Sequence, residues 1–93
     1  MIESFADEDT GRVFRREHVR RFSQDLQRIA LRKLLLLDAA ESLQDLLVPP
    51  ANRLEKLRGD RRGQHSIRVN DQWRICFRWV GNNAHEVELV DYH

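Results

Sequence analysis

Apolar positions change their spacing once along this 93-residue chain. In the first half, Leu26, Ile29, Ala30, Lys33, Leu34 and Leu37 recur at three- and four-residue steps, the spacing of one helical face, and Ser23 stands where an N-cap belongs. The spacing predicts a helix over about 24–37 with its stripe turned to a core. Upstream, "IESF" reads as a short first strand, and "DEDTGRVF" offers Asp and Thr cap candidates before Val13 and Phe14, which suits a short helix. Downstream, Asp38 precedes Glu41 by three residues, the form of a capping box, and is expected to open a second short helix through Leu43, Leu46 and Leu47. Pro49 and Pro50 end that helix because neither can donate a helical hydrogen bond.

Beyond the prolines the period falls to two. In "HSIRVN" His65, Ile67 and Val69 alternate with Ser66, Arg68 and Asn70, and in "QWRICFRWV" Trp73, Ile75, Phe77 and Trp79 alternate with Gln72, Arg74, Cys76 and Arg78. Asn70-Asp71 predicts a tight hairpin turn between them, and "GNN" at 81–83 predicts another leading into "HEVELVDY". With "RLEKL" joined through "GDRRG", the second half becomes an antiparallel meander of about four strands. Helices first and strands afterwards define one α+β domain over residues 1–93, a twisted antiparallel sheet with the N-terminal helices on one face. Trp73, Ile75, Phe77, Trp79, Ile67, Val69, Val87 and Leu89 are then expected to meet the helices. Arg68, Asn70, Arg74, Arg78, Glu88 and Tyr92 are expected on the open face, while parity sends Asp91 and His93 to the apolar side.

Composition narrows the class. Hydrophobic residues make up 41% and charged residues 33%, which is too apolar for a disordered chain and too interrupted for a membrane span. The start lacks the basic and apolar regions of a signal peptide and Cys76 is the single cysteine, so a cytoplasmic protein without internal disulfides is expected. Net charge is only +1, but it is unevenly spread. Residues 1–47 hold nine acids and eight bases, whereas residues 53–78 hold eight bases (Arg53, Lys56, Arg58, Arg61, Arg62, Arg68, Arg74, Arg78) against three acids. The second half therefore carries a positive field, suited either to an anionic partner or to a solvated surface.

Most site chemistries lack their residues. His18, His65, His85 and His93 are scattered and no pair has helical ligand spacing, so no metal is expected, and no other cofactor is implied. No glycine-flanked serine elbow or phosphate-cradling glycine loop occurs. Arginines and a closing Asp91-Tyr92-His93 remain. RNA cleavage without a metal needs a base for the 2′-hydroxyl proton, cations for the charged phosphorane and an acid for the leaving 5′-oxygen. His, Asp, Tyr and Arg can cover those needs. The same residues have plainer readings: a solvated terminal histidine, a strand-edge tyrosine, and arginines that serve as ion-pair partners.

The ordered series "PPANRLEKLRGDRRGQHSIRVNDQWRICFRW" followed by "VELVDYH" resembles the HigB-type toxins, the plasmid-maintenance-killer branch of the RelE superfamily of toxin–antitoxin systems. The likeness extends from "MIESF" through "ALRKLLLLDAAESLQDL" to the Asp-Tyr-His end. It implies the RelE-like microbial ribonuclease fold and a ribosome-dependent mRNA interferase that cuts mRNA in the A site of the 70S ribosome and stops translation. It also implies a helix-turn-helix antitoxin of the HigA type, contacts to mRNA and ribosomal RNA, and operator DNA bound only through the toxin–antitoxin complex, with no membrane. By match to the family's site, Arg58 and Arg74 would meet phosphate and transition-state charge. Asp91 and His93 would transfer protons, and Tyr92 would stack on a base or assist the acid. Lys56, Arg68, Asn70 and Gln72 would contact RNA. Glu55 departs from relatives that carry histidine there; a carboxylate could act as base or could repel phosphate. Two other readings stay open: a non-nuclease toxin of the RelE/ParE fold that binds a protein target, and a co-repressor without activity.

Overall fold

The computed structural model describes residues 1–92; the expected role of His93 lies outside the described residues. Two α-helices precede the sheet. Helix α1 spans Glu8–Phe14, and its N-cap Asp7 accepts the Thr10 N–H at 3.2 Å. Thr10 is fully buried; its hydroxyl donates to Asp7 Oδ1 at 2.6 Å and accepts the Leu89 N–H at 3.0 Å, which ties the helix start to the last strand. Helix α2 spans Gln24–Ala39, two residues beyond the predicted end, with Ser23 Oγ accepting the Leu26 N–H at 3.1 Å. Leu26, Ala30, Leu34 and Leu37 form its buried stripe, as their spacing requires.

The second helix predicted from Asp38 and Glu41 is corrected in position and type. Residues Leu43–Leu47 form a 3-10 helix, and its capping carboxylate is Asp45, which accepts the N–H groups of Glu41 and Ser42 at 2.8 and 3.1 Å. Those bonds hold the Asp45 carboxyl below its usual pKa, the Glu41 N–H contributing most. Asp38 instead ends α2 and accepts the Ile2 N–H at 2.9 Å. A short polar side chain beside free backbone donors fits both sites, and only the chain path decides between them.

Strands β1 (Glu55–Lys56), β2 (His65–Arg68), β3 (Trp73–Val80) and β4 (Asn83–Asp91) form one antiparallel sheet in sequence order. The β3–β4 turn is the two-residue type I′ hairpin: Gly81 and Asn82 both take positive φ, 57° and 62°. The β2–β3 turn is wider than the predicted Asn70-Asp71 pair, since Val69 N–H still bonds to Trp73 C=O at 2.9 Å. A bulge interrupts β3–β4 pairing between Cys76 and Arg78, where Glu86 sits at φ 53°. The "IESF" stretch forms two isolated parallel bridges, Ile2 to Ala84 and Phe5 to Val87, rather than a continuous strand.

Both helices pack on one face of the sheet, and Ile67, Val69, Ile75, Phe77, Val87 and Leu89 join the helical stripe in one core. Trp73 and Trp79 are half-buried at its margin; Trp73 meets Phe22 edge-on with ring centroids 5.5 Å apart. The face expected to be open is not open throughout. Arg74 and Cys76 are buried there, because the chain on either side of β1 folds over that face. Alternation along β3 gives the direction of each side chain, but not what later covers it.

Candidate nucleic-acid interface

Arg74 is the centre of the site. Its side chain leaves β3 on the face away from the helices with only 10% of its surface exposed. Nε donates to Ser66 Oγ at 2.7 Å, and Nη2 donates to the Arg53 carbonyl at 2.6 Å and the Ser66 carbonyl at 3.3 Å. Glu55 Oε1 lies 4.0 Å from Nη2, and the Tyr92 ring centroid lies 5.9 Å from the guanidinium carbon. Three neutral acceptors fix the plane of the guanidinium without cancelling its charge. Nη1 has no hydrogen-bond partner among the described residues. A rigid cation with one donor edge left over suits a phosphate.

The loop before β1 makes this arrangement. Asn52 is fully buried: its Nδ2 donates to the Leu46 and Val48 carbonyls at 3.2 and 3.4 Å, and its Oδ1 accepts from Lys33 Nζ at 2.6 Å. The next residue, Arg53, takes a left-handed backbone with φ 45°. Such a turn delivers the Arg53 carbonyl to Arg74. The Pro-Pro-Ala-Asn segment thus acts on the site through a peptide group. Burial, then Arg68 and Arg32, push the Lys33 amine below its usual pKa.

Other expected site residues fall into separate groups. Tyr92 is 45% exposed, and its N–H donates to the Gln72 carbonyl at 2.8 Å. Gln72 Nε2 donates to Asp91 Oδ2 at 2.9 Å, so Gln72 secures the end of β4 twice. Asp91 pairs with Trp73 in register, on the side away from Arg74. Asn70 Oδ1 accepts the Gln72 and Trp73 N–H groups at 2.9 and 2.8 Å and shapes the turn. Arg68 is paired with Asp71. Lys56 and Arg58 line a cavity of about 380 Å³ with Leu57, Gly59 and Arg62, and no hydrogen bond or ion pair joins that group to Arg74 among the described residues. Structure therefore brings Arg74, Glu55 and Tyr92 together and gathers Lys56 and Arg58 around the neighbouring hollow. Ser66, Asn52 and Arg53 were not singled out from sequence; Ser66 pairs with Cys76 and reaches Arg74 only diagonally, a relation that alternation along each strand does not give.

Neither remaining reactive side chain is poised. Burial pushes the Cys76 thiol above its usual pKa, so it stays protonated near neutrality. Burial, and secondarily Lys56, lower the His65 imidazole, which stacks on Phe77 with ring centroids 6.2 Å apart. His65 is a neutral packing residue at pH 7.

Over its whole length the chain superposes on the toxin–antitoxin complex YoeB–YefM of Staphylococcus aureus with a TM-score of 0.62 at 18% identity, covering 98% of that chain. That likeness defines the class of fold: the small α+β fold shared by YoeB and RelE. A family model described as "RelE-like toxin of type II toxin-antitoxin system HigB" matches residues 3–93, and the chain belongs to this family. Toxin HigB-1 of Vibrio cholerae is 40% identical over 83 residues, 89% of this chain and 80% of that protein. Endoribonuclease HigB of Proteus vulgaris is 37% identical over 71 residues, 76% of this chain and 75% of that protein. No helix among the described residues is long and apolar enough to cross a membrane.

Proposed function

We propose that this type II toxin is a ribosome-dependent endoribonuclease that enters the A site, cuts the mRNA there by attack of a 2′-hydroxyl on the adjacent phosphate without a metal ion, and so stops translation. The observation that carries the reading is Arg74, a cation immobilised by Ser66 and the Arg53 carbonyl with one edge unused, beside an accessible Tyr92 ring. In this scheme Arg74 binds the scissile phosphate and stabilises the phosphorane, and Arg58 supplies a second positive charge. Tyr92 stacks on an unpaired base or assists the acid, and Asp91 and His93 handle protons at the end of the chain. Glu55 is close enough to Arg74 to act as a base once the phosphate displaces their weak pairing. Lys56, Arg68, Asn70 and Gln72 contact mRNA or ribosomal RNA. A cognate helix-turn-helix antitoxin binds the toxin in the cytoplasm, and the name of the Proteus relative supports the nuclease over a non-nuclease toxin.

Arg74→Ala tests the reading in a translating extract. Loss of one charge-stabilising group is expected to slow mRNA cleavage by about 10²–10³-fold. Wild-type protein that arrests growth while mRNA stays intact and DNA breaks accumulate would overturn it.

A further inference from the structure

The connection from Leu57 to Gln64 is more ordered than a link between two strands requires. Its backbone closes on itself, with Leu57 N–H to Gln64 C=O at 2.9 Å, Arg62 N–H to Gly59 C=O at 3.1 Å and Gln64 N–H to Arg61 C=O at 3.0 Å. Gly59 and Gly63 bracket its 3-10 turn in left-handed conformations, and a Cβ on Gly63 would stand 2.7 Å from Arg78 Nη1. Arg78 is itself held by Glu86 at 2.6 Å. From the middle of the turn, Arg61 reaches to the far strand: Nη1 lies 3.2 Å from Gln64 Oε1 and 3.2 Å from Glu88 Oε1. Glu88 is in register with Cys76 and Cys76 with Ser66, so this ion pair crosses β2 and β3 to fasten the loop onto β4. Both side chains are about one-third exposed, 31% and 35%.

The loop carries one exposed carboxylate, Asp60, outside the lining of the hollow; the charge that lines the hollow is of one sign. Lys56, Arg58 and Arg62 line the cavity of about 380 Å³, no carboxylate lines it, and none of the three forms an ion pair among the described residues. Three like charges around one hollow repel one another and favour an anion between them. The chemistry matches a phosphodiester: a point ammonium and two guanidinium forks at the mouth of a formed hollow.

We propose that this loop is a built clamp for one RNA phosphate, with Arg62 as its third cation and with Arg61 and Glu88 as positioning residues whose ion pair straps the clamp to the sheet. The inference rests on the nuclease reading and deepens it. It makes a prediction whose sign opposes simple electrostatics. Removing a carboxylate from a surface that binds RNA ordinarily strengthens binding, but if Glu88 is the strap, its loss frees the loop and weakens binding.

The test is mRNA cleavage by purified translating ribosomes, with the toxin concentration at half-saturation read separately from the plateau rate. Arg62→Gln and Glu88→Gln are each expected to raise the half-saturating concentration about tenfold, the value of one charge-assisted contact, and to lower the plateau rate less. The exchanged pair, Arg61→Glu with Glu88→Arg, is expected to recover most of the loss at unchanged net charge. A parallel titration of a 2′-O-methyl single-stranded RNA without ribosomes separates the sources of the phosphate. Weakening there by both variants assigns the clamp to mRNA, and weakening only on ribosomes assigns it to ribosomal RNA. Glu88→Gln protein that half-saturates at the wild-type concentration or lower would overturn the strap, and unchanged half-saturation for Arg62→Gln would overturn the clamp. Absence of cleavage by the wild type would overturn the nuclease reading and this inference with it.

Discussion

The arginines of the helical layer and those around the β1–β2 connection face different company. In the first region Arg12, Arg15, Arg21 and Arg28 each meet a carboxylate from a nearby residue: Glu8, Glu17, Asp9 and Asp25 at 2.7 to 3.2 Å. In the second, Arg53, Lys56, Arg58 and Arg62 have exposed side chains that meet no acid among the described residues. Net charge is +1 overall, so the protein is not a generally basic surface. Although Arg16, Arg20 and Arg32 of the first region also meet no acid among the described residues, the count of charges separates the two: nine acids to eight bases over residues 1–47, and eight bases to three acids over residues 53–78. RNA binding driven by counterion release needs only that local concentration, and a neutral remainder limits attachment to unrelated polyanions.

The comparison can be broken most directly by removing one arginine from each region. Arg58→Ala is expected to reduce mRNA cleavage by at least about tenfold, whereas Arg28→Ala, which loses an exposed ion pair worth about 0–1 kcal/mol, should leave cleavage within twofold of wild type. Equal effects in a translating extract would dissolve the distinction between the two regions. A second variant asks whether the regions communicate. Asn52 links Lys33 of α2 to the turn that presents the Arg53 carbonyl, so Asn52→Ala should cost about 1–3 kcal/mol of stability in urea unfolding and should also lower the plateau rate of cleavage. A stability loss with the plateau intact would confine Asn52 to the scaffold.

The smallest effect concerns pH. Burial depresses the His65 pKa in the folded chain, so the unfolded chain binds the proton more readily and protonation favours unfolding. Stability should be full above the ordinary histidine value of about 6.5 and decline as pH falls through it towards the folded value. His65→Leu should flatten that part of the stability profile. An unchanged slope in denaturant titrations between about pH 7 and pH 5 would assign it to another group.

Sequence period carried a large part of this architecture, because α2 and the paired strands place most of their apolar residues on one face. Ser23, Leu26, Ala30, Leu34 and Leu37 behave as their spacing demands, and so do Ile67, Val69, Ile75, Phe77, Val87 and Leu89. What escaped were relations between distant residues. Arg74 was placed on an open face because alternation says nothing about the Arg53 carbonyl, 21 positions away, that folds over it. Arg61 and Glu88 are 27 positions apart, and either one alone reads as ordinary surface charge. Asp38 lost its expected capping part to Asp45 for a similar reason: both can accept backbone donors, and the approach of Ile2 claimed Asp38. Recognition of the family from "PPAN", "QWRICF" and "VELVDYH" reached further, since an ordered set of such segments carries the family and with it the fold.

The first residues of the chain run along the outer side of β4, where Glu3 and Ala6 donate to the carbonyls of Ala84 and Val87, and Ala84 and Val87 donate back to Met1 and Ser4. The opposite rim of the sheet is β1, only Glu55 and Lys56 long and both exposed and charged. A second molecule seeking to extend this sheet would therefore find one border already occupied and the other too brief and too polar to template on. Both borders of the sheet are thus guarded against edge-to-edge growth into fibrous aggregates, one by the chain's own first residues and the other by its shortness and charge.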